Sequence, residues 1–290
     1  MKINFDDPNE VFNSISPKLP KWIALLFYKF ENLQNEKSLY YYTDMQALVN
    51  GIIVPSPEKG REICLWATKY SHLNDRQENK VGLNLLHKML GKNDSILNLY
   101  RQSSDHNHSI SFSRNRDYLP MWSMYGAQGG GVMLEFDTQA LLKQYWIRLM
   151  PCVYLGTDYF SKVSKKLSSL NIDDDFEQLD DRQKNVAILM FAQMFISVVK
   201  NSSFSYENEV RIVEIGNPSF PDGIEREEYY RVKNGNLVPF MKEYLPKSCL
   251  KAVWLGPTAN KELSKSTLQS FLESRNIAVT VKCSSIPYRG

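Results

Sequence analysis

The sequence predicts an α+β fold, and two observations carry that prediction. Strand-like and helix-like segments follow one another without the strict alternation that builds a doubly wound parallel sheet. No internal repeat and no low-complexity linker divides the 290 residues, so they are expected to share one core, with insertions.

The elements are expected in this order. A polar, proline-containing lead opens residues 1–38 and passes into the apolar run Trp22 to Tyr28, which predicts a helix over 21–32 packing on the body of the protein. Leu39-Tyr40-Tyr41-Tyr42-Thr43 is dense in aromatic and β-branched types and reads as the first strand of a domain spanning 39–290. Asp44 is placed to cap a short helix over 45–50, which Gly51 stops. A strand over 64–68 leads to the loop 71–75, and Leu83, Leu86, Met89 and Leu90 give residues 76–103 a helical apolar face. A strand over 109–113, a helix over 119–125 with Pro120 in its first turn, a strand over 132–137, a helix over 138–146 and a strand over 150–154 follow. Residues 161–200 form a second insertion, acidic in its middle at Asp173, Asp174 and Asp175 and ending in a long buried helix that stops at Lys200. Strands over 203–213, 229–232, 237–244, 250–255 and 278–283, with a helix over 261–275, complete the chain.

Composition excludes several classes. The chain is 43% apolar and 23% charged with a net charge of +3, which rules out wholesale disorder and offers no general attraction to nucleic acid. No apolar run reaches the length of a membrane span, and the acidic start Asp6-Asp7 lacks a signal core, so a cytoplasmic protein is expected. Cys64, Cys152, Cys249 and Cys283 form no C-x-x-C pair, and His106 and His108 lie in a loop-like Ser-Asp-His-Asn-His setting; no metal site is expected.

Five segments are richer in polar and aromatic groups than packing requires. In Tyr206-Glu207-Asn208-Glu209-Val210-Arg211, read as a strand, Glu207, Glu209 and Arg211 share one face, with roughly 7 Å between successive Cα atoms on that face. Two carboxylates so placed can divide labour between binding a hydroxyl and meeting a developing cation, and Arg211 keeps them ionised. Alone, such a triplet reads equally as a solvated strand face with a salt bridge. Ser109-Ile110-Ser111-Phe112-Ser113 sets three hydroxyls on one strand face, poor core material that faces water or a polar ligand. Tyr40-Tyr41-Tyr42 gives both faces of its strand a phenol, and buried phenols need hydrogen-bond partners. Asn74 and Asp75 suit a turn and a helix cap. Met121-Trp122 and Tyr125 have helical core spacing, and Gly129-Gly130-Gly131 permits close backbone approach without matching a nucleotide-loop pattern.

The order of these segments resembles the bacterial family called domain of unknown function 2971. The resemblance is carried by Leu-Tyr-x-Tyr-Thr, Leu-Asn-Asp-x-x-Glu, Ser-Phe-Ser, Met-Trp-x-x-Tyr-Gly, Leu-Glu-Phe-Asp, Tyr-Glu-x-Glu-x-Arg and the late Leu255-Gly256-Pro257, over about 39–277. That family is distantly similar to the ADP-ribosyltransferase superfamily. The similarity implies a split, largely antiparallel sheet and NAD as the substrate, with no metal. It also implies an enzyme of ADP-ribosyltransferase or NAD glycohydrolase type, acting on an unidentified macromolecular acceptor as a toxin or antiviral defence effector.

Carried over, it places catalysis at Glu209 and Glu207, braced by Ser111 and Ser113, and cofactor contacts at Tyr41, Thr43, Asn74, Trp122, Tyr125 and Arg211. Trp122 or Tyr125 would stack on nicotinamide. Tyr41 stands where relatives more often carry His; a phenol has no positive charge at neutral pH, which opens the alternative of a binding module without catalysis. A nucleic-acid-processing alternative rests on Arg114, Arg116 and nearby aromatics.

Overall fold

The fold is organised by one strand whose two ends pair with different neighbours. A computed structural model describes residues 33–54, 60–73, 82–84, 107–145, 148–158, 196–214, 227–233, 235–258 and 260–288. In chain order the strands are β1 (Ser38–Thr43), β2 (Ile63–Lys69), β3 (His108–Ser113), β4 (Val132–Asp137), β5 (Leu149–Pro151), β6 (Val153–Tyr154), β7 (Val199–Lys200), β8 (Glu209–Glu214), β9 (Tyr229–Lys233), β10 (Asn236–Leu245), β11 (Leu250–Leu255) and β12 (Thr280–Cys283). The principal helices are α1 (Leu119–Tyr125), α2 (Thr138–Tyr145) and α3 (Lys261–Ser274).

Ten strands form one sheet with the path β12-β11-β4-β1-β3-β2-β10-β9, and β8 and β5 extend it from the other edge of β3. All its pairings are antiparallel except β11 with β12, so the fold is α+β with a largely antiparallel sheet. β6 and β7 make a separate parallel pair. On one edge β3 pairs fully with β8. On the other it meets β1 only at Ser113, opposite Tyr40, and β2 only at Ser109 and His108, opposite Thr68 and Lys69. The sheet therefore splits between β1 and β2, and Ser111 sits in the gap.

Alternation along the strands gives the sheet two unlike faces. One bears the main core: Leu39, Leu65, Ala67, Ile110, Phe112, Leu134, Phe136 and Ile212 pack with Leu141 and Leu142 of α2 and Leu268 and Leu272 of α3. The helices dock there because each carries an apolar stripe and a cap: Asp137 accepts from Ala140 N at 2.8 Å, and Asn260 from Leu263 N. The other face carries Thr68, Ser109, Ser111, Ser113, Glu209 and Arg211, since directly paired residues share a side. Over its β1–β4 part lies α1, burying Met121 and Trp122 against Tyr40, Tyr42 and Met133.

Several expectations change at element ends. Asp44 caps its turn as expected, accepting from Ala47 N at 2.6 Å, but the helix runs on as a π-type turn over Leu48–Ile52 that contains Gly51 instead of ending there. Gly51 is needed for space, because a Cβ would lie 1.8 Å from Cζ2 of Trp66. The strand expected over 150–154 breaks at Cys152 into β5 and β6. Lys200 does not end a helix: residues 196–198 are helical, and Val199–Lys200 is a strand. The largest change is at the acidic segment. Ser202–Glu207 is a 3₁₀ helix, Asn208 is left-handed (φ 45°), and β8 begins only at Glu209. The glycine run serves the backbone: Gly129 has φ 92°, and a Cβ on Gly131 would lie 2.3 Å from the Thr43 carbonyl oxygen. The expected lead over 1–38, insertions over 76–103 and 161–200, and Asn74 lie largely or wholly outside the described residues.

Candidate functional site

A cavity of about 380 Å³ opens over the split in the sheet. Its lining includes Tyr41, Thr43, Ser111, Ser113, Tyr125, Glu207, Glu209 and Arg211, so eight of the ten residues singled out from the sequence meet in one place. Asn74 is outside the described residues. Trp122 is not in the lining. Its indole is fully buried, edge-on to Tyr42 at 5.0 Å, and donates from Nε1 to Asp117 at 2.9 Å. Stacking on a ligand by Trp122 is thereby corrected to a core role; the helical spacing of Met121, Trp122 and Tyr125 pointed to packing for all three, and Tyr125 lines the cavity instead.

At the floor of the cavity two carboxylates and two cations share one hydrogen-bonded network. Glu209 accepts from Arg211 Nε at 2.7 Å and Nη2 at 3.0 Å, a two-pronged pairing, and from Lys200 Nζ at 2.6 Å. Lys200 also donates to Glu207 at 2.5 Å, so one ammonium joins both carboxylates. Tyr125 donates from the end of α1 to the other Glu207 oxygen at 2.5 Å. Exposures are 3% for Glu207, 5% for Glu209, 4% for Lys200 and 2% for Arg211, so each charge depends on the others for its solvation. Burial pushes the Glu209 carboxyl up, but Arg211 and then Lys200 outweigh it and hold the group well below the ordinary carboxylate range.

The local backbone explains the convergence. On a continuous strand Glu207 and Glu209 would lie side by side on one face. Instead the left-handed Asn208 turns the chain between them, and both carboxylates reach Lys200 from different directions. Asn is among the few side chains that adopt this conformation readily. Ser113 Oγ donates to the Glu207 carbonyl at 2.6 Å and Asn115 Nδ2 to the Tyr206 carbonyl at 2.7 Å, pinning the 3₁₀ turn to β3. Tyr154 OH accepts from Glu209 N at 2.8 Å. Ser113 is thus a brace for the Glu207 backbone. Ser111 carries the solvent-facing hydroxyl of the row.

Tyr41 approaches from the other side. Register with β4 and β3 sets Tyr40 and Tyr42 on the face of Ser113, whereas Tyr41 belongs to the core face, its ring 6.0 Å from Phe112. It reaches the cavity only where β1 and β2 separate, and its phenol is pushed up by burial. Arg114 lies 3.4 Å from Glu36 and Arg116 stacks over Trp254; neither lines the cavity. His108 is buried, 3.5 Å from Glu228, and no group of metal-ligating side chains occurs among the described residues.

Sequence reasoning passed over Lys200, Trp66, Arg231 and Lys233. Lys200 looked like the polar stop of an apolar run. Arg231 and Lys233 alternate on β9 as visibly as the glutamates do, and both line the cavity.

Residues 121–212 match the model of the family described as protein of unknown function (DUF2971). The match covers about a third of the chain, from α1 into β8, and includes Tyr125, Lys200, Glu207, Glu209 and Arg211. It supports the family resemblance drawn from the motifs. No curated protein and no solved structure matches the chain.

Proposed function

We propose that the cavity binds NAD and that the protein is an NAD-consuming enzyme of ADP-ribosyltransferase or NAD glycohydrolase type. The observation that carries this reading is the pairing of a split sheet with a carboxylate, Glu207, at the foot of the split beside a solvent-facing Ser111. Glu207 takes the leading role expected of Glu209. Both Glu209 oxygens are engaged by Arg211, and one also by Lys200, whereas each Glu207 oxygen has a single partner.

In this reading Glu207 accepts a hydrogen bond from the ribose 2′-hydroxyl. The bond from C1′ to the nicotinamide nitrogen then breaks, and its electron pair leaves with the nitrogen, turning a pyridinium into neutral nicotinamide. The positive charge left on the ribose is met by the Glu207 carboxylate, as in glycoside hydrolysis. Water or an acceptor nucleophile closes the sugar and loses a proton. Tyr125, at the cavity wall, orients the carboxylate; Glu209 and Arg211 fix Lys200, which fixes Glu207.

Incubation of the purified chain with NAD, followed by chromatography of nicotinamide, tests this. Wild type is expected to release nicotinamide, and Glu207→Gln to release it on the order of 10²-fold more slowly or less while remaining folded by circular dichroism. If the chain acts as a toxin, growth arrest on expression should vanish with the same variant. Absence of both binding and turnover at millimolar NAD would falsify the reading. The uncharged Tyr41 on the core face favours one second reading, binding without turnover; saturable NAD binding with no nicotinamide release would establish it.

A further inference from the structure

We propose that the β9 wall of the cavity is an anion subsite in which Arg231 and Lys233 hold a phosphoryl group of the nucleotide. The inference rests on the nucleotide reading above and supplies what Tyr41 lacks, a positive charge at the cofactor's phosphates.

Among the described residues the cations of this cavity fall into two kinds. Lys200 and Arg211 are matched by Glu207 and Glu209. Arg231 and Lys233 line the same cavity and form no ion pair. The Arg231 guanidinium is nonetheless held in place. It lies 4.9 Å over Trp66 and 5.7 Å over Phe240, and Nη2 donates to Thr68 Oγ1 at 2.8 Å. Its Nε is buried and has no hydrogen-bond partner. A buried donor left unpaired on a positioned guanidinium is costly unless something accepts from it.

Lys233 is two residues along β9, on the same side of the strand, and lines the same cavity. Two adjacent cations without a counter-ion attract an anion. The planar fork of a stacked guanidinium suits the oxygen geometry of phosphate better than that of chloride. Trp66 itself is seated over Gly51, so the shelf under Arg231 is built by the fold and does not depend on ligand. Ser111 lies between this wall and Glu207 in the same lining, so a nucleotide phosphate on β9 would leave its ribose pointing toward the carboxylate.

Calorimetric titration of the full chain with ADP, pyrophosphate and adenosine tests the subsite. ADP is expected to bind at least 10-fold more tightly than adenosine. Arg231→Gln and Lys233→Gln should each weaken ADP and pyrophosphate about 10-fold and leave adenosine unchanged. Arg275→Gln, at the exposed end of α3, removes the same charge far from the cavity and should change nothing. Circular dichroism melts confirm that the variants are folded, and Lys233→Gln, on an exposed edge position, stands in if Arg231→Gln is not. Equal ADP affinity in wild type and both cavity variants, or no pyrophosphate and ADP binding at millimolar concentration, overturns the subsite. The two proposals fail separately. Undiminished NAD turnover in Arg231→Gln removes the subsite and leaves the enzyme; charge-dependent ADP binding without NAD turnover removes the enzyme and leaves the subsite.

Discussion

The two charged walls of the cavity are built on opposite terms. On the β8 side Glu207, Glu209, Lys200 and Arg211 are all buried and balance two negative charges with two positive ones. On the β9 side Arg231 rests on aromatic rings, with an adjacent lysine, and neither forms an ion pair among the described residues. The first wall pairs each carboxylate with a cation and so holds the shape of the site. The second, among the described residues, holds its cations without a counter-charge. Buried charge that is internally matched is a structural commitment, and positioned charge that is unmatched is open to a ligand.

The β8 wall is most vulnerable at Arg211. Arg211→Met leaves the buried Glu209 facing Lys200 alone and is expected to cost about 3–5 kcal/mol, read as a fall in urea midpoint. Arg211→Met with Glu209→Leu should recover most of that loss, because an apolar pair needs no solvation. Recovery of nothing would show that the pair acts through more than its charges.

Acid should weaken the same wall. The folded Glu209 carboxyl titrates below its ordinary value of 4.5, so its contribution is complete above that pH and is lost as pH falls below it toward the depressed folded value. Urea unfolding between pH 7 and pH 3 should show stability declining below about pH 4.5, and the decline should be shallower in the Arg211→Met, Glu209→Leu double variant.

A smaller effect is expected at Asn208. Asn208→Val forces a β-branched residue into the left-handed region, at about 1–2 kcal/mol, whereas Asn208→Gly should be tolerated. Because the turn aims both carboxylates at Lys200, the Val variant should also lose NAD turnover if Glu207 reacts; turnover that persists at the wild-type rate would separate the turn from the site. The smallest stability change belongs to the other wall. Arg231→Gln is expected to move stability by less than about 1 kcal/mol, since it removes an unmatched charge on a partly exposed edge strand. A loss comparable to that of Arg211→Met would mean that the walls do not differ as described.

Much of the candidate site was legible from local patterns. Alternation in Ser109 to Ser113 and the density of aromatics at Tyr40 to Tyr42 identified two of the strands that border the split, and the acidic segment marked the floor. What went astray did so for specific reasons. A strand pattern continued through Glu207 because period-two alternation cannot register one left-handed residue at Asn208. Tyr41 lines the cavity as the resemblance implies, but from the core face of β1, because three successive phenols do not say which of the two faces is the core. Trp122 was read as a stacking group although its spacing suited burial equally. Lys200 and the two β9 cations carried no local signal of partnership, because their partners are set by pairing across the sheet.

From the sequence alone come the α+β class and most of the strands and helices among the described residues, with the face that each side chain takes wherever a strand runs unbroken, as in Ser109 to Ser113. Periodicity and capping are properties of neighbours along the chain, and neighbours suffice for them. Only the tertiary structure decided that β3 meets β1 at Ser113 and β2 at Ser109, leaving Ser111 open between them. It also decided that one lysine joins two glutamates while an arginine on the far wall has none. Those outcomes depend on long-range register and on which buried charges find one another, and neither is encoded within any single segment.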